Sequence, residues 1–153
     1  MSTQIPGGQV VIFTLGGAAY AVPIGVVREV VPWTTPMPVP EAPAHHLGVL
    51  DLRGELLPVV DLTSRFRLTR QRPYEASQIM VMSLNGQGAG FVVDEVHQVQ
   101  HVEPSQVVEP SAVLFGSALS ASQSPVAGIL RLGDQRLAVF LDSQKVISEA
   151  ALG

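Results

Sequence analysis

The chain has 153 residues and a mass of 16.2 kDa, which suits one domain that buries most of its apolar surface without metal or disulfide support. Cysteine is absent, so disulfide bonds, thiolate metal sites and a cysteine nucleophile are excluded. A net charge of −4 gives no general attraction to nucleic acid, and the apolar runs fall far short of the roughly 18 residues that a membrane-spanning helix needs. We therefore expect no nucleic-acid binding and no direct membrane insertion.

Charged residues make up 14% of the chain, against about 25% in a typical soluble domain, so much of the exterior must be uncharged. Such an exterior favours long-lived contacts with protein partners. Residues 1–8 have neither the basic nor the apolar region of a signal peptide, and we predict them to be a flexible tail on a cytoplasmic protein.

After this tail, apolar runs of strand length alternate with short turns that contain glycine, which is typical of an antiparallel all-β domain. The dipeptides Gly16-Gly17 and Asn85-Gly86 are of the kind that closes a two-residue hairpin. The predicted hairpins span residues 10–22, 48–62, 79–93 and 128–142.

These hairpins repeat along the chain. The third aligns with the first at a shift of 69 residues, and Gly128 of the fourth matches Gly48 of the second at a shift of 80. We predict a single domain at 9–153 with two similar halves, 9–66 and 79–142, and a linker at 67–78. Further strand candidates bring each half to five strands, about the smallest sheet that can close into a barrel. Those candidates are residues 29–33 and 98–102.

Helical signals are few. Residues 23–30 have Pro23 in a first-turn position and apolar residues spaced for one buried face, and residues 142–150 are the strongest helix candidate. An aspartate precedes each of three segments that can make a helical turn. We interpret these aspartates as helix caps or turn residues rather than as acid/base or metal-binding groups. They are Asp61, Asp94 and Asp142.

The remaining polar groups indicate no enzyme, no cofactor and no metal site. His97 and His101 have the spacing of metal ligands on a helix, but the valines around them do not fit a long helix and no third ligand is near in sequence. Residues 85–90 are rich in glycine, like a phosphate-binding loop, yet a strand follows instead of the helix that such a loop needs. Clustered arginines are interpreted as a solvent-exposed linker: Arg65, Arg67, Arg70 and Arg72.

The hairpin at 48–62 has a charged tip between two apolar strands. Asp51 and Glu55 flank Arg53, whereas the alignment of the halves places Gly133 where Arg53 stands. Arg53 therefore belongs to one half alone, which favours docking over a scaffold role. Its guanidinium can fork onto a partner's carboxylate or carbonyls, or brace its own turn against Asp51 or Glu55, and both roles stay open.

The order and spacing of the motifs resemble the CheW-like family of chemotaxis coupling proteins over nearly the whole chain. The most recognisable run is Gly-Val-Leu-Asp-Leu-Arg-Gly at residues 48–54, with Pro-Val-Val-Asp-Leu at 58–62. The resemblance implies an all-β fold of two small SH3-like five-stranded β-barrels around a shared core, with short helices and a C-terminal helix. Further matching segments are residues 11–16, Tyr20, 90–94, 126–129 and 141–146.

By this resemblance the chain is a non-catalytic adaptor that couples chemoreceptors to a CheA-like histidine kinase in chemotaxis or related motility signalling. The implied partners are the regulatory domain of the kinase and the cytoplasmic tip of the receptors, so a cytoplasmic protein would be recruited to membrane-associated receptor arrays. The implied kinase contacts are Ile24, Val27, Glu29 and Val30, and the implied receptor contacts are Gly48, Val49 and Arg53.

A second hypothesis comes from another class of protein. It is a β module that binds a small ligand or an anion in a groove between the barrels, with the linker at residues 65–72 as its lid. Reproducible thermal stabilisation by a metabolite, without stabilisation by a kinase domain, would favour this hypothesis.

Overall fold

The computed structural model describes residues 8–109 and 124–150, so residues 1–7 of the predicted tail lie outside the described chain. No helix in these ranges is long and apolar enough to span a membrane. The strands are β1 Gln9–Leu15, β2 Ala18–Pro23, β3 Val27–Pro32, β4 His46–Leu52, β5 Glu55–Asp61, β6 Gln78–Leu84, β7 Gln87–Val93, β8 Glu95–His101, β9 Val107–Val108, β10 Val126–Gly133 and β11 Arg136–Leu141, and the helices are α1 Leu62–Arg65 and α2 Ser143–Ala150.

Two-residue turns close all four hairpins, and both central residues of each turn have positive φ, as in a type I′ turn. Glycine and asparagine, which adopt this backbone readily, supply it in the first and third hairpins. In the second hairpin Arg53 adopts it, with a φ of 52°. The turns are Gly16-Gly17, Arg53-Gly54, Asn85-Gly86 and Asp134-Gln135.

Each sheet combines strands from both halves of the chain. One sheet has the order β8-β1-β2-β11-β10-β9, and the other has the order β3-β6-β7-β5-β4. Parallel pairing of β2 with β11 and of β5 with β7 joins a hairpin of one half to a hairpin of the other. The expectation that the five strands of one half close on themselves is wrong, because neither half supplies a complete sheet.

The strand candidates between the hairpins also cross between halves. β3 pairs with β6, and β8 pairs with β1, so each candidate extends the first hairpin of the opposite half. The short strand β9 pairs with β10 and brings one sheet to six strands, which the sequence pattern did not predict.

A buried cluster between the sheets forms a shared core. Phe13 from one sheet and Phe91 from the other are fully buried in it, and α2 covers it with Val146 and Ile147. Two further clusters lie within the individual sheets. Because strands of both sheets meet in one close-packed core, the two sheets form a single structural unit.

The predicted caps of two helices are confirmed. The backbone N–H of Lys145 donates to Asp142 Oδ1 at 3.1 Å, and that of Ser64 donates to Asp61 Oδ1 at 3.4 Å. Asp94 differs, because β8 rather than a helical turn follows it and its Oδ2 accepts from the Gly17 N–H at 3.4 Å.

The helix predicted at residues 23–30 is wrong beyond its first turn. A 3₁₀ turn spans Ile24–Val26, and the chain then enters β3. Gly25 costs about 1 kcal/mol relative to alanine in a helix, and β-branched valines favour the strand that pairs with β6.

The linker is held against the sheet by Arg70. Its Nη2 atom lies 2.5 Å from Oδ1 of Asp61, which is 4% exposed, and its guanidinium stacks over the Tyr74 ring at 4.2 Å. Tyr74 donates its hydroxyl to Asp61 Oδ2 at 2.8 Å and stacks on Trp33 with 4.8 Å between ring centroids. Asp61 therefore joins strand β5, helix α1 and the linker.

The interpretation of the arginine cluster as solvent-exposed is wrong for Arg70, and two of its neighbours are also paired. Arg72 Nη2 lies 2.8 Å from Glu95 Oε1, and Arg65 Nη2 lies 2.5 Å from Glu149 Oε1. Arg72 thus ties the linker to β8 as well as to β5, and Arg65 ties α1 to α2.

Candidate docking surface

Two ion pairs connect β3 with the tip of the hairpin formed by β4 and β5. Arg28 Nη1 lies 2.6 Å from Glu55 Oε1, and Arg53 pairs with Glu29 through both guanidinium nitrogens. We call these four residues the charge quartet. Because β3 and β4 are the two edges of their sheet, the quartet joins one edge strand to the hairpin tip at the other edge.

The pairing favours the charged forms of Arg28, Arg53 and Glu55. The hydrogen bond to Glu55 raises the pKa of Arg28, and the hydrogen bond to Glu29 raises the pKa of Arg53. The hydrogen bond from Arg28 lowers the pKa of Glu55, so this carboxylate keeps its charge to lower pH than usual and loses the pair only as the pH falls through its lowered pKa.

The quartet lies at the surface, and two exposed apolar side chains are near it in sequence. The Arg53 side chain is 69% exposed, and exposed ion pairs contribute little to stability. Leu56, next to Glu55 in sequence, is 66% exposed, and Ile24, in the turn before β3, is 41% exposed. Apolar anchors beside an arginine are typical of protein-binding surfaces.

The structure brings the predicted kinase contacts together on β3 and the turn before it. Ile24 is exposed, whereas Val27 and Val30 are partly buried and pack against the shared core. Glu29 belongs to the charge quartet. Only Ile24 and Glu29 therefore present functional groups that reach well beyond the core.

The predicted receptor contacts do not lie together. Gly48 is buried, and Val49 exchanges two backbone hydrogen bonds of 2.9 Å with Met37. Arg53 lies at the far end of the hairpin, about 16 Å away along β4. The structure thus brings Arg53 to Glu29 on β3 and separates it from Gly48.

Gly48 has a visible role in the fold. Its φ is 142°, and a Cβ atom at this position would overlap the Met37 carbonyl, where the connector crosses β4. Its counterpart Gly128 lies close to Val107 in the same way, with 2.9 Å between an added Cβ and the Val107 Cγ1 atom. The repeated glycine therefore lets a connector segment approach the hairpin.

We expect Gly48→Ala to lower the free energy of unfolding by about 3 kcal/mol, because the new methyl group must displace backbone and adopt a strained φ. Urea unfolding followed by far-ultraviolet circular dichroism measures the change. Gly25→Ala is the matched control and is expected to be neutral or stabilising, because nothing lies within 4 Å of its added Cβ. Equal stability of the Gly48→Ala variant and the parent chain would contradict a structural role.

The structural counterpart of Arg53 is Asp134 and not Gly133. The register of β10 against β11 shifts between Arg131 and Gly133, which places one extra residue in the strand. The two-residue turn consequently begins at Asp134. The prediction that Arg53 has no equivalent arginine remains valid, because an acid occupies the matching turn position.

Sequence reasoning missed Arg28 and Glu55 as members of the surface. A local signal existed, since Arg28-Glu29 and Arg53-Gly54-Glu55 each place opposite charges within two residues. The fold decides which arginine pairs with which carboxylate, because it brings the two edges of the sheet together. Such a long-range contact leaves no local signal in the sequence.

The predicted metal-ligand candidates His97 and His101 do not come together. His97 and His101 are four residues apart on a strand rather than a helix, about 13 Å along the chain and too far to share one ion. Within residues 8–109 and 124–150, no group of three or more His, Cys, Asp or Glu side chains is placed to hold a metal ion. Asn85 and Gly86 form the predicted hairpin turn.

The fold and this surface define a small all-β protein of two sheets that share strands between the halves of the chain, with paired charges and apolar side chains exposed for contact. A family model described as the CheW-like domain matches residues 9–151. The chain belongs to the CheW-like family.

Two curated relatives named chemotaxis protein CheW illustrate the similarity. The protein of Rhizobium meliloti is 34% identical over 101 residues, which cover 66% of this chain and 65% of the relative. The protein of Treponema pallidum is 30% identical over 149 residues, which cover 94% of this chain and 84% of the relative. The alignment with the Rhizobium protein thus spans just under two thirds of that relative.

A solved structure confirms the predicted fold class. The crystal structure of the scaffolding protein TtCheW from Thermoanaerobacter tengcongensis matches with a TM-score of 0.76 at 28% identity, over 90% of this chain and 89% of that one. The fold is two small SH3-like β-barrels around a shared core.

Proposed function

We propose that this chain is an adaptor that couples chemoreceptors to a CheA-like histidine kinase in chemotaxis or a related motility pathway. The match of the CheW-like domain across residues 9–151 carries this proposal. The names of the relatives support it, since they are chemotaxis proteins and a scaffolding protein. The adaptor acts by binding, without catalysis, in the cytoplasm at membrane-associated receptor arrays.

The kinase-binding surface is proposed to lie on β3 and the turn before it, where Ile24, Val27, Glu29 and Val30 stand. The exposed Ile24 supplies an apolar anchor, and Glu29 supplies a charge that selects the orientation of the partner. The regulatory domain of the kinase is the proposed partner of this surface.

The receptor-binding surface is proposed to include Arg53, with Gly48 and Val49 shaping the hairpin that presents it. Arg53 pairs with Glu29, so the proposed receptor and kinase surfaces meet at the charge quartet. A partner that binds Arg53 and breaks its ion pair with Glu29 changes the surface to which the other partner binds. Such a contact supplies the differential interaction that linkage between two binding sites requires.

We expect Glu29→Lys to weaken binding to the purified regulatory domain of a CheA-like kinase about tenfold, because it reverses a charge at the proposed interface and repels Arg53. Titration calorimetry measures the affinity, and thermal unfolding checks that the variant is folded. The matched control is Glu75→Lys, which makes the same charge change at an exposed residue of the linker.

Unchanged affinity in Glu29→Lys would remove this residue from the kinase surface. An equal loss in Glu75→Lys would show that net charge, and not position, controls the interaction.

A further inference from the structure

A pocket of about 480 Å³ lies between one sheet and the segment that runs from α1 into the linker. One wall comes from β2, β10 and β11, and the other comes from the end of α1 and the start of the linker. Its size is within the range of sites that hold small molecules. Its lining includes Tyr20, Phe66, Arg67, Val126, Val139 and Leu141.

The floor of the pocket is aromatic. Tyr20 stacks on Phe13 and on Phe66, with 6.1 Å between ring centroids in both contacts. Tyr20 is only 9% exposed, yet its hydroxyl has no hydrogen-bond partner in the described chain. Burial raises the pKa of Tyr20, so the hydroxyl keeps its proton and can donate a hydrogen bond to a molecule in the pocket.

Arg67 is an exposed cation that lines the same pocket. The loop that carries it is fixed, because the Arg67 N–H donates to the Ser64 carbonyl at 3.0 Å and the Leu68 N–H donates to the Thr63 carbonyl at 2.9 Å. The backbone of Arg67 has a φ of 60°, a conformation that few non-glycine residues adopt.

The other arginines of this cluster are paired with carboxylates. Arg65, which also lines the pocket, pairs with Glu149 on α2, and Arg70 and Arg72 pair elsewhere. Within residues 8–109 and 124–150, Arg67 has no carboxylate within 4.0 Å. Its positive charge is thus uncompensated at the edge of an apolar floor.

We propose that this pocket binds a small amphipathic monocarboxylate, with its apolar tail on the aromatic floor and its carboxylate held by Tyr20 and Arg67. The tail packs against Phe66 and the aliphatic wall of Val139 and Leu141. The carboxylate accepts from the Tyr20 hydroxyl and from the Arg67 guanidinium, which gives both donors the acceptor that the described chain lacks. This binding is independent of the adaptor role, because it needs neither the kinase nor the receptor.

The probe is sodium octanoate, and 1-octanol is the uncharged control with the same chain length. We expect octanoate at ten times its Kd to raise the melting temperature of the full chain by about 4 °C. Calorimetry is expected to show octanoate binding at least about tenfold more tightly than 1-octanol, because only the carboxylate meets both donors.

Variants of the pocket residues test which side chains bind octanoate. We expect Arg67→Gln to weaken octanoate binding about tenfold and Tyr20→Phe to weaken it about fivefold. Tyr20→Phe should leave the melting temperature of the unliganded chain unchanged, because the hydroxyl it removes has no partner. Arg131→Gln, which removes an exposed arginine elsewhere, is the control and should bind octanoate like the parent chain.

The absence of saturable octanoate binding would overturn the proposal. Equal affinity for 1-octanol and octanoate, or full affinity in Arg67→Gln, would also overturn it, because the pocket would then be an apolar crevice without a carboxylate site. Neither result depends on whether the chain couples a receptor to a kinase.

Discussion

Arg53→Asn is expected to abolish most receptor-dependent control of the kinase while keeping the melting temperature equal to or above that of the parent chain. Arg53 occupies the first central position of a type I′ turn with a φ of 52°, and asparagine adopts that backbone more readily. The ion pair that the variant loses is exposed and contributes little to stability. Kinase autophosphorylation with receptor present and thermal unfolding measure the two effects.

The matched control for Arg53→Asn is Gln135→Gly in the fourth hairpin. Gln135 is a turn residue with a φ of 62°, so glycine is expected to stabilise that turn without changing kinase control. A large fall in the melting temperature of Arg53→Asn would assign Arg53 to the fold instead of to a partner.

A charge-swap variant distinguishes a structural role of the Arg53–Glu29 ion pair from a direct contact between Arg53 and a partner. The double variant Arg53→Glu with Glu29→Arg retains an ion pair between β3 and the hairpin tip but reverses the charges that a partner meets. We expect this variant to fold normally and to remain defective in kinase control. Recovery of full control would show that the pair only holds β3 against the hairpin.

Arg70→Ala is expected to lower the free energy of unfolding by about 3 kcal/mol. The variant leaves the buried Asp61 carboxylate with the Tyr74 hydroxyl and the Ser64 N–H but without a positive partner. Breaking one side of a buried ion pair is strongly destabilising because the remaining charge is uncompensated. It also removes the stacking of Arg70 over Tyr74.

Urea unfolding followed by the fluorescence of Trp33 measures the effect of Arg70→Ala, because this single tryptophan stacks on Tyr74. Arg67→Ala is the matched control in the same linker and is expected to change stability by less than about 0.5 kcal/mol. If Arg70→Ala were as stable as Arg67→Ala, the linker would not depend on the Asp61 contact.

Local chemistry made the hairpins predictable, because residues such as Gly16-Gly17 and Asn85-Gly86 strongly favour two-residue turns. The exchange of strands between halves was not predictable in this way. The valines of β3 pair equally well with any apolar strand, and the choice of β6 depends on contacts far apart in the chain. The sequence repeat therefore predicted ten of the eleven described strands and left their partners open.

The residues of the candidate site were also predictable only in part. Arg53 was identifiable from its own hairpin, as a charged residue between apolar strands that its repeat does not share. The pairing of Arg53 with Glu29 was not identifiable from the sequence, because this ion pair joins residues on opposite edges of a sheet. Arg70, unlike Arg53, had no local signal in the sequence. Its role comes from an ion pair with a carboxylate that is buried in another element.

The most direct measurement of coupling is autophosphorylation of a CheA-like kinase mixed with membrane-embedded chemoreceptors, with and without this chain. We predict that kinase activity follows the state of the receptor only when the chain is present, and that the three proteins sediment together. Kinase activity that does not respond to the receptor in the presence of the chain, together with no co-sedimentation, would contradict an adaptor function.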